Sequence, residues 1–192
     1  DTGEIIGYSK TLLLALRTAR LAALDRRNIL IRGERGTGKD LLAHYIHRQC
    51  QTEKEYPFII VNSSILTSEL FASELFGIEE KVATGVMKRK GLIEEAIGGD
   101  LFFDEIKDML PQVQAGILRV LENRKIYPIG SRESRPVDVR FLSATNTDIE
   151  ALAATDKFRT DLLDRLRERG IFLPPLRERI EDVPFLAEKF VH

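Results

Sequence analysis

The sequence is short of several things, and each shortage narrows what it can be. It holds one cysteine, Cys50, in 192 residues. No disulfide can therefore form within the chain, which suits a reducing compartment such as the cytoplasm. Neither sign of charge dominates, with 29 Lys and Arg against 30 Asp and Glu. Overall charge thus argues for neither nucleic acid nor a membrane surface, and any such role must sit in a local patch. No apolar run reaches the roughly 20 residues that span a bilayer, and the opening residues lack a signal-peptide pattern. Internal repeats and low-complexity linkers are missing too. What remains is 43% hydrophobic and 31% charged, enough to exclude a mostly disordered chain and to fill the core of one domain over 1–192. The ends, DTGEIIG and LAEKFVH, read as cuts within a longer polypeptide.

Apolar spacing predicts helices over 11–24, 40–50, 68–77 and 113–122, the last weakened by Gly116. Short apolar runs predict buried strands at NILIRG (28–33), FIIVN (58–62), LFFDE (101–105), VDVRFLSATN (137–146) and GIFLP (170–174). Such alternation points to an α/β fold, a mainly parallel sheet covered on both faces. Ligands of such sheets bind beyond the carboxyl ends of the strands, where the polar motifs fall.

GERGTGKD (33–40) follows a strand and opens a helix. It reads as a phosphate-binding loop, in which Gly33, Gly36 and Gly38, with Thr37 between them, let backbone N–H groups turn toward phosphate oxygens. Lys39 would reach the β- and γ-phosphates of ATP. The general pattern places Ser or Thr next, to bind Mg2+, and here Asp40 stands there. Asp104 leaves a buried strand where it can hold Mg2+ through water, and Glu105 is placed to act as general base on the attacking water. Asn146, ending the next strand, is a neutral amide suited to orienting water or sensing the γ-phosphate; alone it would read as a turn residue.

Two further groups are ambiguous on residues alone. His44, His47 and Cys50 are spaced three apart on a helix, formally a metal-ligand spacing, but packing or surface roles are commoner there. The segment FRTDLLDRLRERGIFLPPLRER (158–179) is rich in arginine. A solvated helix face with pairs such as Asp161–Arg165 explains most of it. A ring-forming ATPase would also need an arginine from a neighbouring subunit. The pattern by itself does not select one.

These motifs resemble, in order and spacing, the central AAA+ ATPase domain of bacterial enhancer-binding proteins, the activators of sigma-54 RNA polymerase. The likeness runs from IIGYSK (5–10) to DVPFLAEKF (182–190). GERGTGKD is similar to the family's GESGTGKE, which also carries an acid after the Lys. VNSS (61–64) is similar to VNCA, and the resemblance makes Asn62 the switch partner of Glu105. ELFG (74–77), GGDLFFDEI (98–106), FRTDLLDRL (158–166) and LPPLRER (173–179) match as well. The resemblance implies a P-loop core with a five-stranded parallel sheet and ATP bound between subunits of a hexameric or heptameric ring. It makes Arg159 and Arg165 the pair acting across the interface. It also implies a helical lid that the sequence stops short of, and a DNA-binding domain outside it.

One place departs from the family. Its GAFTGA loop, which engages sigma-54, aligns with Lys81, Val82, Ala83, Thr84, Gly85 and Val86. Thr84 and Gly85 remain, while Ala83 replaces the aromatic and Lys81 the first Gly. Aromatics carry much of the binding energy of interfaces, and Ala offers little of that area. Two functions therefore stand side by side. One is an ATPase regulator that moves the 77–91 loop against sigma-54 polymerase. The other is a nucleotide-switched oligomer that acts through DNA or another form of polymerase.

Overall fold

The computed structural model describes residues 5–50, 56–63, 68–79 and 88–191. Helix α1 (Lys10–Leu24) starts where the Ser9 hydroxyl accepts from the Leu12 N–H at 3.3 Å, a side-chain N-cap. There follow β1 (Ile29–Arg32), α2 (Lys39–Gln49), β2 (Phe58–Asn62), α3 (Ser68–Phe76), α4 (Leu92–Glu95) and β3 (Asp100–Asp104). Next come α5 (Pro111–Asn123), a two-strand ribbon β4 (Lys125–Ile126) and β5 (Arg135–Pro136), and β6 (Arg140–Thr145). The chain ends with α6 (Ile149–Ala154), α7 (Thr160–Leu166), β7 (Arg169–Phe172) and α8 (Val183–Val191).

Five strands form one parallel sheet in the order β2-β3-β6-β1-β7. Side chains alternate across each strand, so a continuous apolar run feeds both faces. Ile29 and Ile31 pack with Leu12 and Ala19 of α1 and Leu42 and Ile46 of α2. Leu30, between them, joins the opposite core with Ile117 of α5 and Leu162 of α7. Phe102 and Phe103 split the same way. Each fully buried Leu, Ile or Phe contributes about 1.5–3 kcal/mol. Gly116 is no flaw in α5, because a Cβ there would sit 2.4 Å from the Phe76 ring. The helix uses that glycine to let α3 approach.

The strand expected over 137–146 begins only at Arg140. The preceding residues are claimed by the end of α5, where the Val137 N–H donates to the Arg124 carbonyl at 2.9 Å. The ribbon and the short helices α4 and α6 were not foreseen. They are too brief to show a period and are held by tertiary contacts. Among the described residues no helix is long and apolar enough to cross a membrane.

A buried ionic network closes the N-terminal end of the sheet. Arg140 Nε and Nη2 each donate to Asp100 at 2.7 Å, and His47 Nδ1 lies 2.6 Å from Asp100 Oδ2. Burial pushes the Asp100 carboxyl up, but the hydrogen bonds from His47 and Arg140 outweigh it and hold it below the usual carboxylate range. An ionised carboxylate only accepts, so Nδ1 carries the hydrogen. Cys50 donates instead to the Ala23 and Ile46 carbonyls, and His44 packs on Phe58. His47 packs on the same Phe58 ring, so the three residues at formal metal spacing are each taken up by packing or hydrogen bonds.

At the neck of the 77–91 loop, Ile78 and Arg89 exchange backbone hydrogen bonds at 2.9 and 3.0 Å. The Glu79 N–H donates to the Ile129 carbonyl at 3.0 Å. Arg135 bridges Glu79 and Glu94. Lys81–Val86, the residues aligned with the family loop, lie outside the described residues.

Candidate functional site

The phosphate-binding loop joins β1 to α2. Gly36 and Gly38 hold φ of +77° and +90°, a left-handed backbone that residues with a Cβ adopt at a cost. Gly38 is also the N-cap of α2, so the helix opens toward the loop with its first N–H groups unpaired by side chains. Thr37 turns its hydroxyl onto the Glu34 carbonyl at 2.8 Å, so it braces the loop. Lys39, buried except for 7% of its surface, lays its ammonium on the Gly33 and Glu34 carbonyls at 3.1 and 3.2 Å. From there it is 3.9 Å from Glu105 Oε1.

Parallel register brings the remaining groups to the same edge. Asn62 of β2 is opposite Asp104 of β3, and Arg32 of β1 is opposite Thr145 of β6, one residue before Asn146. Glu105 leaves β3 with φ +53°, a strained conformation for a side-chain-bearing residue. A short turn, Ile106–Asp108, then runs along the rim. The result is one cavity of about 440 Å³, whose walls include Gly36, Gly38, Lys39, Asp40, Asn62 and Asp104. Glu105 and Asn146 complete the set of sequence candidates there, while Gly33 and Thr37 shape the loop behind it.

Reading residues alone missed two members of the wall, Arg35 and Lys107. Lys107 donates to Asn146 Oδ1 at 3.0 Å and stands 3.6 Å from Glu105 Oε2. Its one local signal is a cation two places after the acidic pair. The segment LPPLRER also has a visible task. Arg177 makes a two-pronged contact with Glu34 of the loop, and buried Arg179 donates to the Thr37 carbonyl at 3.2 Å. The adjacent Asp182 accepts from the Tyr8 and Ser9 N–H groups at 2.7 and 2.8 Å, tying the start of the chain to this side of the loop.

The charges are uneven. Burial raises the Asp104 carboxyl above its ordinary value, the Glu105 charge adds to that, Lys39 opposes it, and Asp40 pushes it further up. A divalent cation would relieve that crowding. Among the described residues, no group of three or more His, Cys, Asp or Glu could hold a metal ion. Mg2+ uses hard carboxylate oxygens together with phosphate and water rather than a full set of protein ligands, so Asp104 fits it.

Arg159 and Arg165 are not in the wall of this cavity. Arg159 is the N-cap of α7 and lines a separate shallow cavity with Asp156, Phe158, Thr160 and Asp161. Its guanidinium takes Asp161 at 2.7 and 3.0 Å, so the expected Asp161–Arg165 pair is replaced by one on the helix cap. The same carboxylate also accepts from the Leu162 N–H at 2.8 Å. The Arg165 side chain is exposed.

Comparison with known proteins agrees with this geometry. The sigma-54 interaction domain model matches residues 5–171. The Nif-specific regulatory protein of Herbaspirillum seropedicae is 45% identical over 189 residues, 98% of this chain and 35% of that protein. The DNA-binding transcriptional regulator NtrC of Escherichia coli (strain K12) is 42% identical over 191 residues, 99% of this chain and 40% of that protein. The crystal structure of NtrX from Brucella abortus in complex with ADP superposes with a TM-score of 0.88 at 36% identity, covering 97% of this chain and 41% of that one. A second NtrX structure, in complex with ATP, gives 0.88 at 37% identity, covering 97% and 40%. The chain thus spans 35% to 41% of the length of these relatives. Sheet order, loop and matched length lead to one conclusion: the chain belongs to the sigma-54 interaction domain family and has its AAA+ α/β fold.

Proposed function

We propose that this chain binds ATP with Mg2+ in the 440 Å³ cavity and hydrolyses it within an assembled ring, as the motor of a transcription regulator. The observation that carries the reading is convergence. A phosphate-binding loop, an acidic pair and two strand-end amides from three other segments line one polar cavity at one edge of the sheet.

In this reading the first N–H groups of α2 and Lys39 hold the phosphates, and Asp104, with Asp40 nearby, holds Mg2+ through water. The metal, when bound, supplies charge neutralisation at the phosphates. Glu105 accepts the proton of the attacking water with Asn62 as its switch partner, and Asn146 orients that water or senses the γ-phosphate. Arg159 and Arg165 lie outside their own cavity and so are available to a neighbour's, where they would offset charge developing on the γ-phosphate. Movement would pass to the partner loop through its neck, where Arg135 ties Glu79 to Glu94.

The test is ATP turnover by the assembled protein. Glu105→Gln should retain ATP binding and lower kcat by about 100-fold or more. Mixing Glu105→Gln with Arg159→Ala should restore part of the activity, because a mixed interface can join an intact Glu105 to an intact Arg159. Turnover unaffected by Glu105→Gln would remove the hydrolytic reading.

Sigma-54 polymerase is the proposed recipient, on the strength of family membership and the retained Thr84 and Gly85. Ala83 and Lys81 favour a second recipient, DNA or another polymerase form, with nucleotide acting as a switch. A pull-down with sigma-54 in the presence of a transition-state analogue separates the two. Binding that disappears with Thr84→Ala supports the first.

A further inference from the structure

Lys107 belongs to no phosphate-binding motif, yet it contacts both polar groups that close the far side of the cavity. Its ammonium donates to Asn146 Oδ1 at 3.0 Å, and the Thr147 hydroxyl donates to the same oxygen at 2.9 Å. A lysine ammonium has no acceptor, so the atom it touches must be the amide oxygen and not the nitrogen. Both lone pairs of that oxygen are then in use. The amide nitrogen, with two N–H groups, hydrogen-bonds to no other described residue, and Asn146 lines the cavity.

Lys107 is itself held in place. The turn that carries it is closed by the Asp108 N–H donating to the Glu105 carbonyl at 3.1 Å. Glu105 Oε2 lies 3.6 Å from the ammonium and accepts from the Asn146 backbone N–H at 3.4 Å. Glu105, Lys107 and Asn146 thus form a small closed circuit, in which the Asn146 backbone holds the Glu105 carboxylate and that carboxylate in turn holds the Lys107 ammonium on the Asn146 amide.

We propose that Lys107 is a positioning residue that locks the Asn146 amide with its N–H end toward the cavity, so that Asn146 donates to the terminal phosphate and the site prefers ATP to ADP. The inference rests on the ATP-binding reading above, with Asn146 as its γ-phosphate sensor, and adds to it the residue that sets which end of that amide faces the nucleotide. Without Lys107, only the Thr147 hydroxyl would orient the amide. A hydroxyl both donates and accepts, so it tolerates either orientation. The acceptor end of a flipped amide would then face phosphate oxygens and repel them.

Calorimetric titration with ATPγS and with ADP, each with Mg2+, reads this directly. The unaltered chain should prefer ATPγS. Lys107→Ala should narrow that preference by about tenfold, the scale of one charge-assisted hydrogen bond. Lys107→Arg, also a pure donor, should restore most of it. Adding Lys107→Ala to Asn146→Ala should cost nothing further, since a residue acting through Asn146 has no effect once Asn146 is gone. Independent, additive losses would overturn the proposal, because Lys107 would then be acting on the nucleotide by its own charge. An unchanged preference in Lys107→Ala, with melting temperature preserved, would also overturn it while leaving ATP binding intact. If the unaltered chain binds neither nucleotide, the ATP reading falls and this inference falls with it.

Discussion

Strand β3 begins and ends with an aspartate, and the two have opposite fates. Asp100, at the N-terminal end, is 2% exposed and saturated by Arg140 and His47. Asp104, four residues on, is half-buried and faces Glu105 and Asp40 as well as Lys39. Partners hold the first carboxyl down, and burial and like charges push the second up. One end of the sheet is thus electrostatically finished. The other gathers three carboxylates, Asp40, Asp104 and Glu105, with Lys39 in the wall of the cavity, the kind of perturbed cluster that functional sites show.

The sharpest way to break this comparison is Asp100→Ala. It would strand a buried guanidinium and should lower stability by about 3–5 kcal/mol, measured by urea unfolding. A loss near zero would mean that the network is not an anchor. Asp104→Asn should do the reverse in the absence of nucleotide. It removes a carboxylate from a crowded group, so stability at neutral pH should hold or rise, while Mg2+-dependent nucleotide binding weakens. If it destabilises as strongly as Asp100→Ala, the two ends are not different in kind.

pH dependence gives a finer contrast. Asp100 has a folded pKa below its unfolded value. Its contribution is complete above the unfolded pKa, near 3.8, and is lost as pH falls through the lower folded value. Asp104 is raised, so the folded state takes up its proton first. Its penalty at neutral pH eases as pH falls through the raised folded value toward 3.8. The stability gain from Asp104→Asn should therefore shrink on acidification. The loss from Asp100→Asn should persist until the pH drops below the unfolded value. Curves of unfolding free energy against pH for the three proteins would show it. The smallest effect expected is at Arg177, whose pairing with Glu34 is solvent-exposed and screened by salt. Arg177→Ala should barely move the melting temperature in 0.15 M salt.

Particular elements show why some of this could be read in advance. The inner strands are continuous apolar runs because both faces are covered, and the runs at 29–32 and 101–104 mark them plainly, whereas the equally apolar run at 58–62 forms the edge strand β2 and leaves Ile60 exposed. GERGTGKD is legible because loop, lysine and helix start are contiguous. The acidic pair follows its strand directly. The ribbon β4–β5 gave no such sign, since two residues have no period. Its neighbourhood depends on Arg135 reaching Glu79 and Glu94, which are 56 and 41 positions away. Arg159 was legible only as one arginine among several, because its separation from its own cavity is a property of the folded chain.

Local sequence therefore determined the elements that need only near neighbours: the phosphate loop, the apolar strands, the helix starts and the acidic pair. The tertiary structure decided how charges are shared. His47 meets Asp100 across 53 positions, Arg140 meets it across 40, and Lys107 meets Asn146 across 39. Such pairs form only when parallel register stacks the strands, bringing distant residues within hydrogen-bond reach. Once there, burial makes each charge depend on the partner it finds. That is why aspartates at the two ends of a five-residue strand became a buried anchor and part of a cavity wall.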